Sequence, residues 1–239
     1  MDNAVPLPPD FAAMAAKFPN TVKRLLVDGV DPSSVSVHEL LSELRLDPSK
    51  HLLLGEELEE HIMRIPDALS SVACAALRAA VDDESNRSVK KDSVDGGAEH
   101  EIVLDLASLT ALVGNAVARE LCILPTKYKR WQAGESRPPS TPKSRQRPPV
   151  PSIPREVFVR RYSGDTRPWI PFHADAAAVT INIALESSGT HEGGSLVAVA
   201  NGRVQTIDRG EGEATIHDSR LLHAVTRMRG TGVRYSLIL

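Results

Sequence analysis

His173 and Asp175 stand two residues apart in Phe172-His173-Ala174-Asp175, where a strand is expected to begin. On an extended chain, residues two apart project to the same face, so the two side chains can converge on one point. An imidazole and a carboxylate together suit a divalent transition metal. A third ligand on that side would leave the opposite positions of the ion open. His223, in Leu221-Leu222-His223-Ala224-Val225, is the candidate, against the plainer reading of a hydrogen-bonded core histidine. His217, in Ile216-His217-Asp218-Ser219, is its rival and is placed second because it lies too far before Arg234 for one simple hairpin.

After His223 the chain turns at Gly230-Thr231-Gly232 and continues as Val233-Arg234-Tyr235-Ser236-Leu237-Ile238-Leu239. A hairpin there would return Arg234 beside the strand bearing His223. Arg234 and Ser236 share a face by the period-two rule, and a guanidinium fork with a hydroxyl donor grips a carboxylate bidentately. An arginine in an otherwise apolar strand needs a counter-charge, because an unpaired buried cation is costly. Either a protein carboxylate or a small-molecule one supplies it. Two histidines and one carboxylate on one face of an ion are the donor set of non-haem iron(II) oxygenases. A zinc hydrolase can use the same set, but it gives Arg234 and Ser236 no role.

Other residues carry weaker signals. His191 and Glu192 precede Gly193-Gly194 and read as an exposed loop pair or a substrate contact. Trp169 and Phe172 read as core packing ahead of lining the mouth of the site. Arg160 and Arg161 read as edge-strand cations that discourage aggregation, ahead of reading substrate charge. His38, His51, His61 and His100 read as surface residues.

The elements that must position these groups fall into two styles. Residues 1–56 read as a small helical appendage, with Ser36-Val37-His38-Glu39 as a capping box ahead of Leu40, Leu41 and Leu44. A second helix is predicted from near Ala68, with Leu69, Val72, Ala73, Ala76, Leu77 and Ala80 as its apolar stripe. Residues 82–100 are polar and read as a mobile loop. Leu109, Leu112, Val113, Ala116, Val117 and Leu121 mark a third helix. Residues 125–155, rich in proline and arginine, read as an extended loop, a tether or else a lid. From about residue 156 to 239 the pattern changes to short β-branched strands: 156–162, 177–185, 195–200, 204–207, 213–217, 221–228 and 233–239. Glycine-containing turns separate most of them, which predicts a barrel or sandwich.

Composition excludes several classes. With 41% apolar residues in 239, a sizeable core is available and full-length disorder is excluded. A net charge of -3 and 4% aromatics argue against nucleic-acid binding, which wants a basic face and stacking platforms. Cys74 and Cys122 make no disulfide framework. No apolar run reaches the roughly 18 residues of a membrane span and no secretory signal is evident, so a cytoplasmic protein with no membrane partner is expected.

The run from Arg161 to Leu239 resembles the Fe(II)/2-oxoglutarate-dependent dioxygenase superfamily, particularly its prolyl 4-hydroxylase-like branch. The resemblance rests on Tyr162, His173-Ala174-Asp175, His191-Glu192-Gly193-Gly194-Ser195-Leu196, His223 and Arg234-Tyr235-Ser236, and extends more loosely over residues 57–239. It implies an α+β protein with a mainly β core: a double-stranded β-helix, or jelly roll, braced by the preceding helices. It implies that His173, Asp175 and His223 bind Fe(II), and that Arg234 and Ser236 hold the far carboxylate of 2-oxoglutarate. Tyr162 and Thr180 are further cosubstrate contacts by the same resemblance. Fe(II), 2-oxoglutarate and O2 are the implied cofactors, with ascorbate as an accessory reductant. The implied reaction hydroxylates a C–H bond of a protein or peptide proline or lysine, or of a free amino acid or small metabolite, releasing succinate and CO2. A non-catalytic jelly-roll binding module is the alternative. Collagen-type prolyl hydroxylases usually carry lysine where this sequence has Arg234, and a tryptophan-containing segment beyond the equivalent of Leu239.

Overall fold

Alternation of buried and half-exposed residues after position 157 is what the backbone follows into sheets. A computed structural model describes residues 5–47, 57–88, 90–134 and 154–239. Residues 135–153 of the proline- and arginine-rich stretch, the junction at 48–56 with His51, and residues 1–4 lie outside the described residues. In chain order the elements are α1 (Pro9–Ala15), α2 (Asn20–Leu26), α3 (Val37–Leu44), β1 (Met63–Ile65), α4 (Ser71–Asp82), β2 (Glu101–Val103), α5 (Leu106–Val113) and α6 (Asn115–Gln132). The β module then runs through β3 (Phe158–Ser163), β4 (Ile170–His173), β5 (Val179–Ala184), β6 (Glu192–Gly193), β7 (Leu196–Ala200) and β8 (Arg203–Thr206). It closes with β9 (Ala214–Asp218), β10 (His223–Val225), β11 (Met228–Arg229) and β12 (Val233–Ile238).

The protein is a mixed helix and sheet fold whose sheets are antiparallel: a jelly-roll sandwich in which no barrel closes. One sheet has six strands in the order β1-β9-β5-β12-β3-β2, and the other has four, β4-β10-β7-β8. β6 and β11 form a small third pair. Helices α4–α6 cover the outer face of the six-stranded sheet, where Leu77, Leu109, Leu121 and Tyr128 meet Val159, Ile181, Ile216 and Leu237. Helices α1–α3 cover the outer face of the other sheet, where Leu25, Leu26 and Leu40 meet Val197, Val199, Leu222 and Ala224. The N-terminal helices therefore share a core with the β module. Between the sheets lies a smaller cluster that includes Tyr162, Ile170, Leu196, Ala198 and Val225. No helix among the described residues is long and apolar enough to cross a membrane.

Several local expectations hold, and several are corrected by tertiary structure. Ser36 caps α3 by accepting the Glu39 N–H at 3.3 Å, as the capping box predicts. The second helix starts at Ser71, capped by Ser70, not near Ala68; Val72 of the predicted stripe is 81% exposed, and Cys74 and Val81 are buried instead. The third predicted helix is two, because Gly114 takes φ +87° between α5 and α6. The second of these continues through Pro125 to Gln132, shortening the expected loop.

The polar stretch 82–100 is not a free loop. Buried Arg167 donates to Asp92 at 3.0 Å and Asp95 at 3.1 Å, and Arg160 reaches Asp92 and Glu101, both at 2.7 Å. Arg160 is thus an inward ion-pair partner, not an edge-strand cation: β3 lies between β12 and β2. Arg161 pairs with Asp82 at 3.1 Å. Trp169 is fully buried against Phe11, and Phe172 joins the same N-terminal cluster, as core packing predicts. His61 is buried rather than on the surface, His100 is half-buried, and His38 is exposed.

Candidate metal centre and adjoining pocket

β4 and β10 bring the first two imidazoles together. His173 lies directly opposite His223, but Ile170 lies opposite Val225, so three steps on β4 match two on β10. Such a bulge re-aims side chains. Trp169 and Phe172 face the N-terminal helices, while Ile170 faces the sandwich interior with the histidine that follows the irregularity. His173 is the last residue of its strand, not near the start of one, and Asp175 belongs to the connection into β5. The rings of His173 and His223 sit 4.3 Å apart, centroid to centroid.

Each of three imidazoles is oriented from behind. His173 Nδ1 is 2.9 Å from the Pro171 carbonyl, His223 Nδ1 3.1 Å from that of Leu221, and His217 Nδ1 3.1 Å from that of Asp218. A carbonyl only accepts, so Nδ1 carries the proton and the Nε2 lone pair of a neutral ring points the other way. All three Nε2 atoms point at Asp175: His173 lies 3.5 Å from Oδ1, and His223 and His217 lie 3.9 Å and 3.8 Å from Oδ2. Burial, with His173 and His217 nearby, pushes His223 down to about 3, so it is neutral at pH 7. His217 is also lowered by burial. Burial alone would raise Asp175, but positive charge among the His173, His223 and His217 rings, together with the Thr180 hydroxyl, holds its carboxyl well below the usual carboxylate range.

Lone pairs aimed at an ionised carboxylate repel unless a cation lies among them. Among the described residues, buried Asp175 Oδ2 has no hydrogen-bond partner. The donor atoms of His173, Asp175 and His223 all lie within 4.8 Å of one another. Donors each ~2.1 Å from one ion sit about 3–4 Å apart, and the 3.5 Å and 3.9 Å separations of Asp175 from His173 and His223 fall in that range. His217 faces the same carboxylate but falls outside that mutually close set.

The hairpin expected to carry Arg234 to His223 does not form. β12 lies between β3 and β5 in the six-stranded sheet, and β10 lies in the other, so the two strands approach across the sandwich. Arg234 is opposite Tyr162 on β3, and its guanidinium stacks 4.8 Å above that ring. Arg234 and Ser236 are both buried on one face. Neither terminal nitrogen of Arg234 nor the Ser236 hydroxyl has a hydrogen-bond partner among the described residues. The Thr180 hydroxyl reaches Asp175.

Arg234 opens on a pocket also lined by Glu186, His191, Gly194 and Arg209. His191 is tucked in by a 2.8 Å contact from Nδ1 to the Gly193 carbonyl, whereas Glu192 is exposed. Gly194, at φ +65°, has no room for a side chain: a Cβ would collide with Met228 Sδ and press on Arg234 Cδ. Burial pushes Arg209 down to about 9, and its Nη1 donates to Asn182 Oδ1 at 2.7 Å. Burial raises Glu186 to about 7. Sequence reasoning missed Glu186 and Arg209. The first could have been found by extending the inward parity of β5 through Thr180, Asn182 and Ala184; nothing local marks the second.

No protein-family model matches the chain, and no curated protein matches it. Solved structures it resembles include a prolyl-4-hydroxylase from Pseudomonas putida, at 15% identity over 74% of this chain and 90% of that one, TM-score 0.49. Another is a 2OG-Fe(II) oxygenase family oxidoreductase from Burkholderia pseudomallei, at 17% identity over 75% and 84%, TM-score 0.48. A third is SnoN, the non-heme alpha ketoglutarate dependent epimerase from nogalamycin biosynthesis, at 17% identity over 74% and 76%, TM-score 0.47. Structures it resembles thus include 2OG-Fe(II) oxygenases, a prolyl-4-hydroxylase among them.

Proposed function

We propose that this chain is an Fe(II)- and 2-oxoglutarate-dependent oxygenase that hydroxylates a C–H bond, with a peptidyl proline or lysine as leading substrate and a free amino acid or small metabolite as the second. The observation that carries the reading is a pair of unmatched charges facing one interior: an ionised carboxylate ringed by imidazole lone pairs, and a buried guanidinium whose terminal nitrogens have no hydrogen-bond partner among the described residues. A cation answers the first and a carboxylate the second. An iron ion that binds 2-oxoglutarate brings both.

In this reading His173, Asp175 and His223 hold the ion on one side and leave the other open. The Pro171 and Leu221 carbonyls, each held against an Nδ1 atom, keep the two Nε2 atoms aimed at the ion. Arg234 holds the far carboxylate of 2-oxoglutarate, helped by the Ser236 hydroxyl, and Tyr162 fixes the plane of the guanidinium from its other face. When bound, iron(II) with 2-oxoglutarate and O2 supplies oxidative decarboxylation to succinate and CO2, with the second oxygen atom entering the substrate C–H bond. The protein's part is aim, charge and exclusion of water by two packed sheets. Buried, unpaired Cys74 and Cys122 accord with a cytoplasmic setting.

The test is succinate release over a panel of proline- and lysine-containing peptides, free amino acids and metabolites, with product mass gains of about 16 Da sought by mass spectrometry. Succinate formation that no member of the panel stimulates would leave the substrate half of the proposal without support.

A further inference from the structure

We propose that Glu186 carries a proton into the cosubstrate pocket and donates it as a hydrogen bond to the far carboxylate of 2-oxoglutarate, so that the cosubstrate binds with uptake of one proton. This rests on the reading of the Arg234 pocket as the 2-oxoglutarate site.

Donors and acceptors at this pocket do not balance within the chain. Among the described residues, four buried polar atoms at this pocket's residues have no hydrogen-bond partner: Glu186 Oε2, both terminal nitrogens of Arg234, and Arg209 Nε. A carboxylate ligand brings acceptors only, which suit the guanidinium donors. It cannot satisfy Glu186 Oε2, another oxygen, unless one of the two carboxyl groups carries a proton. Leaving two buried oxygens face to face without one costs desolvation and repulsion together. Glu186 is held for this task. Its Oε1 accepts the Tyr235 N–H at 2.6 Å, which fixes the carboxyl plane and leaves Oε2 as the free edge.

The charged and titratable groups around Glu186 are His191 at 3.9 Å before β6, Arg234 on β12, Arg209 on the β8–β9 connection, and Arg78 and Cys74 on α4. Arg78 is engaged by Glu211 at 2.6 Å, and Arg209 by Asn182. Burial outweighs the cations and brings Glu186 to about 7, whereas the far carboxylate of 2-oxoglutarate is an ordinary acid. Glu186 is therefore the group that holds the proton; it acts by positioning and discriminating the cosubstrate, not on the reacting atoms.

The test is calorimetric titration of 2-oxoglutarate into the full chain loaded with Mn(II), at about pH 6 and about pH 8, each in two buffers of different ionisation heat. The wild type is expected to take up close to one proton at the higher pH and to bind about tenfold more weakly there than at the lower. Glu186→Gln, whose amide donates without titrating, is expected to bind equally at both pH values with no uptake. Wild-type binding without proton uptake, or uptake that persists in Glu186→Gln, overturns the assignment of Glu186 and leaves the cosubstrate reading standing. No binding to the wild type at either pH overturns the cosubstrate reading and this inference with it.

Discussion

Two regions of this molecule bury a pair of arginines, and they solve the resulting charge problem in opposite ways. Arg160 and Arg167 meet three carboxylates, Asp92, Asp95 and Glu101, at 2.7–3.1 Å. Arg209 and Arg234 share a pocket in which Glu186 is the one carboxylate among the lining residues, and within the described residues it makes no ion pair with either. The first cluster is finished by the chain itself and stitches residues 82–100 onto β3 and the segment before β4. The second is left incomplete. A buried cation matched by the fold is architecture; one left unmatched at the cost of stability marks a place for a ligand anion.

The comparison breaks or holds on substitutions that treat the two clusters alike. The largest effect is expected at the metal set: His173→Ala or Asp175→Ala should bring substrate-free conversion of 2-oxoglutarate to succinate down to background, and wild-type rates in either would refute the ligand assignment. Next, Arg167→Met leaves Asp95 without its cation and Asp92 with Arg160 alone, and should cost about 3 kcal/mol in denaturant unfolding. Arg234→Met should do the reverse. It removes an unmatched buried charge, so unfolding should be neutral or slightly favourable to the fold, while 2-oxoglutarate affinity falls roughly 100-fold. Equal destabilisation by both would show that the two arginine clusters do not differ in charge balance.

Glu186 gives a smaller, pH-dependent effect. Its carboxyl is raised from an ordinary value of 4.5 to about 7, so its contribution is fully present below 4.5 and is lost as pH rises through 7. The ligand-free Glu186→Gln variant should therefore unfold at higher temperature than the wild type at about pH 8, by up to roughly 3 kcal/mol, and converge with it in acid. A constant difference across pH would show that burial of the charge is not the cause. The smallest effect is expected from Val72→Ser, which alters an exposed position of α4 and should shift stability by no more than about 0.5 kcal/mol.

Much of the site was readable before any fold was known, because its chemistry is written in short-range patterns. His173-Ala174-Asp175 puts an imidazole and a carboxylate two residues apart, and Arg234-Tyr235-Ser236 places guanidinium and hydroxyl on one face; both pairs end up buried or half-buried toward one interior. Alternation along a strand states which side chains travel together, but not which strand lies next door. That is why β12 was expected beside β10 and is found between β3 and β5. For the same reason hairpin distance ranks His217 behind His223, although it faces Asp175 just as closely. The polar run 82–100 looked loose because its partners lie on a distant stretch, with Asp92 and Arg167 75 residues apart.

The sequence by itself determined the residue types of the centre, the β-rich character of the last eighty residues and the capping of α3. Each depends on contacts within a few residues, where chain geometry leaves little choice. Only tertiary structure decided that Glu186 and Arg209 join Arg234, that a bulge in β4 turns His173 inward, and that the N-terminal helices close the outer face of a sheet. These arrangements come from packing and charge balance between distant segments, which no local pattern encodes.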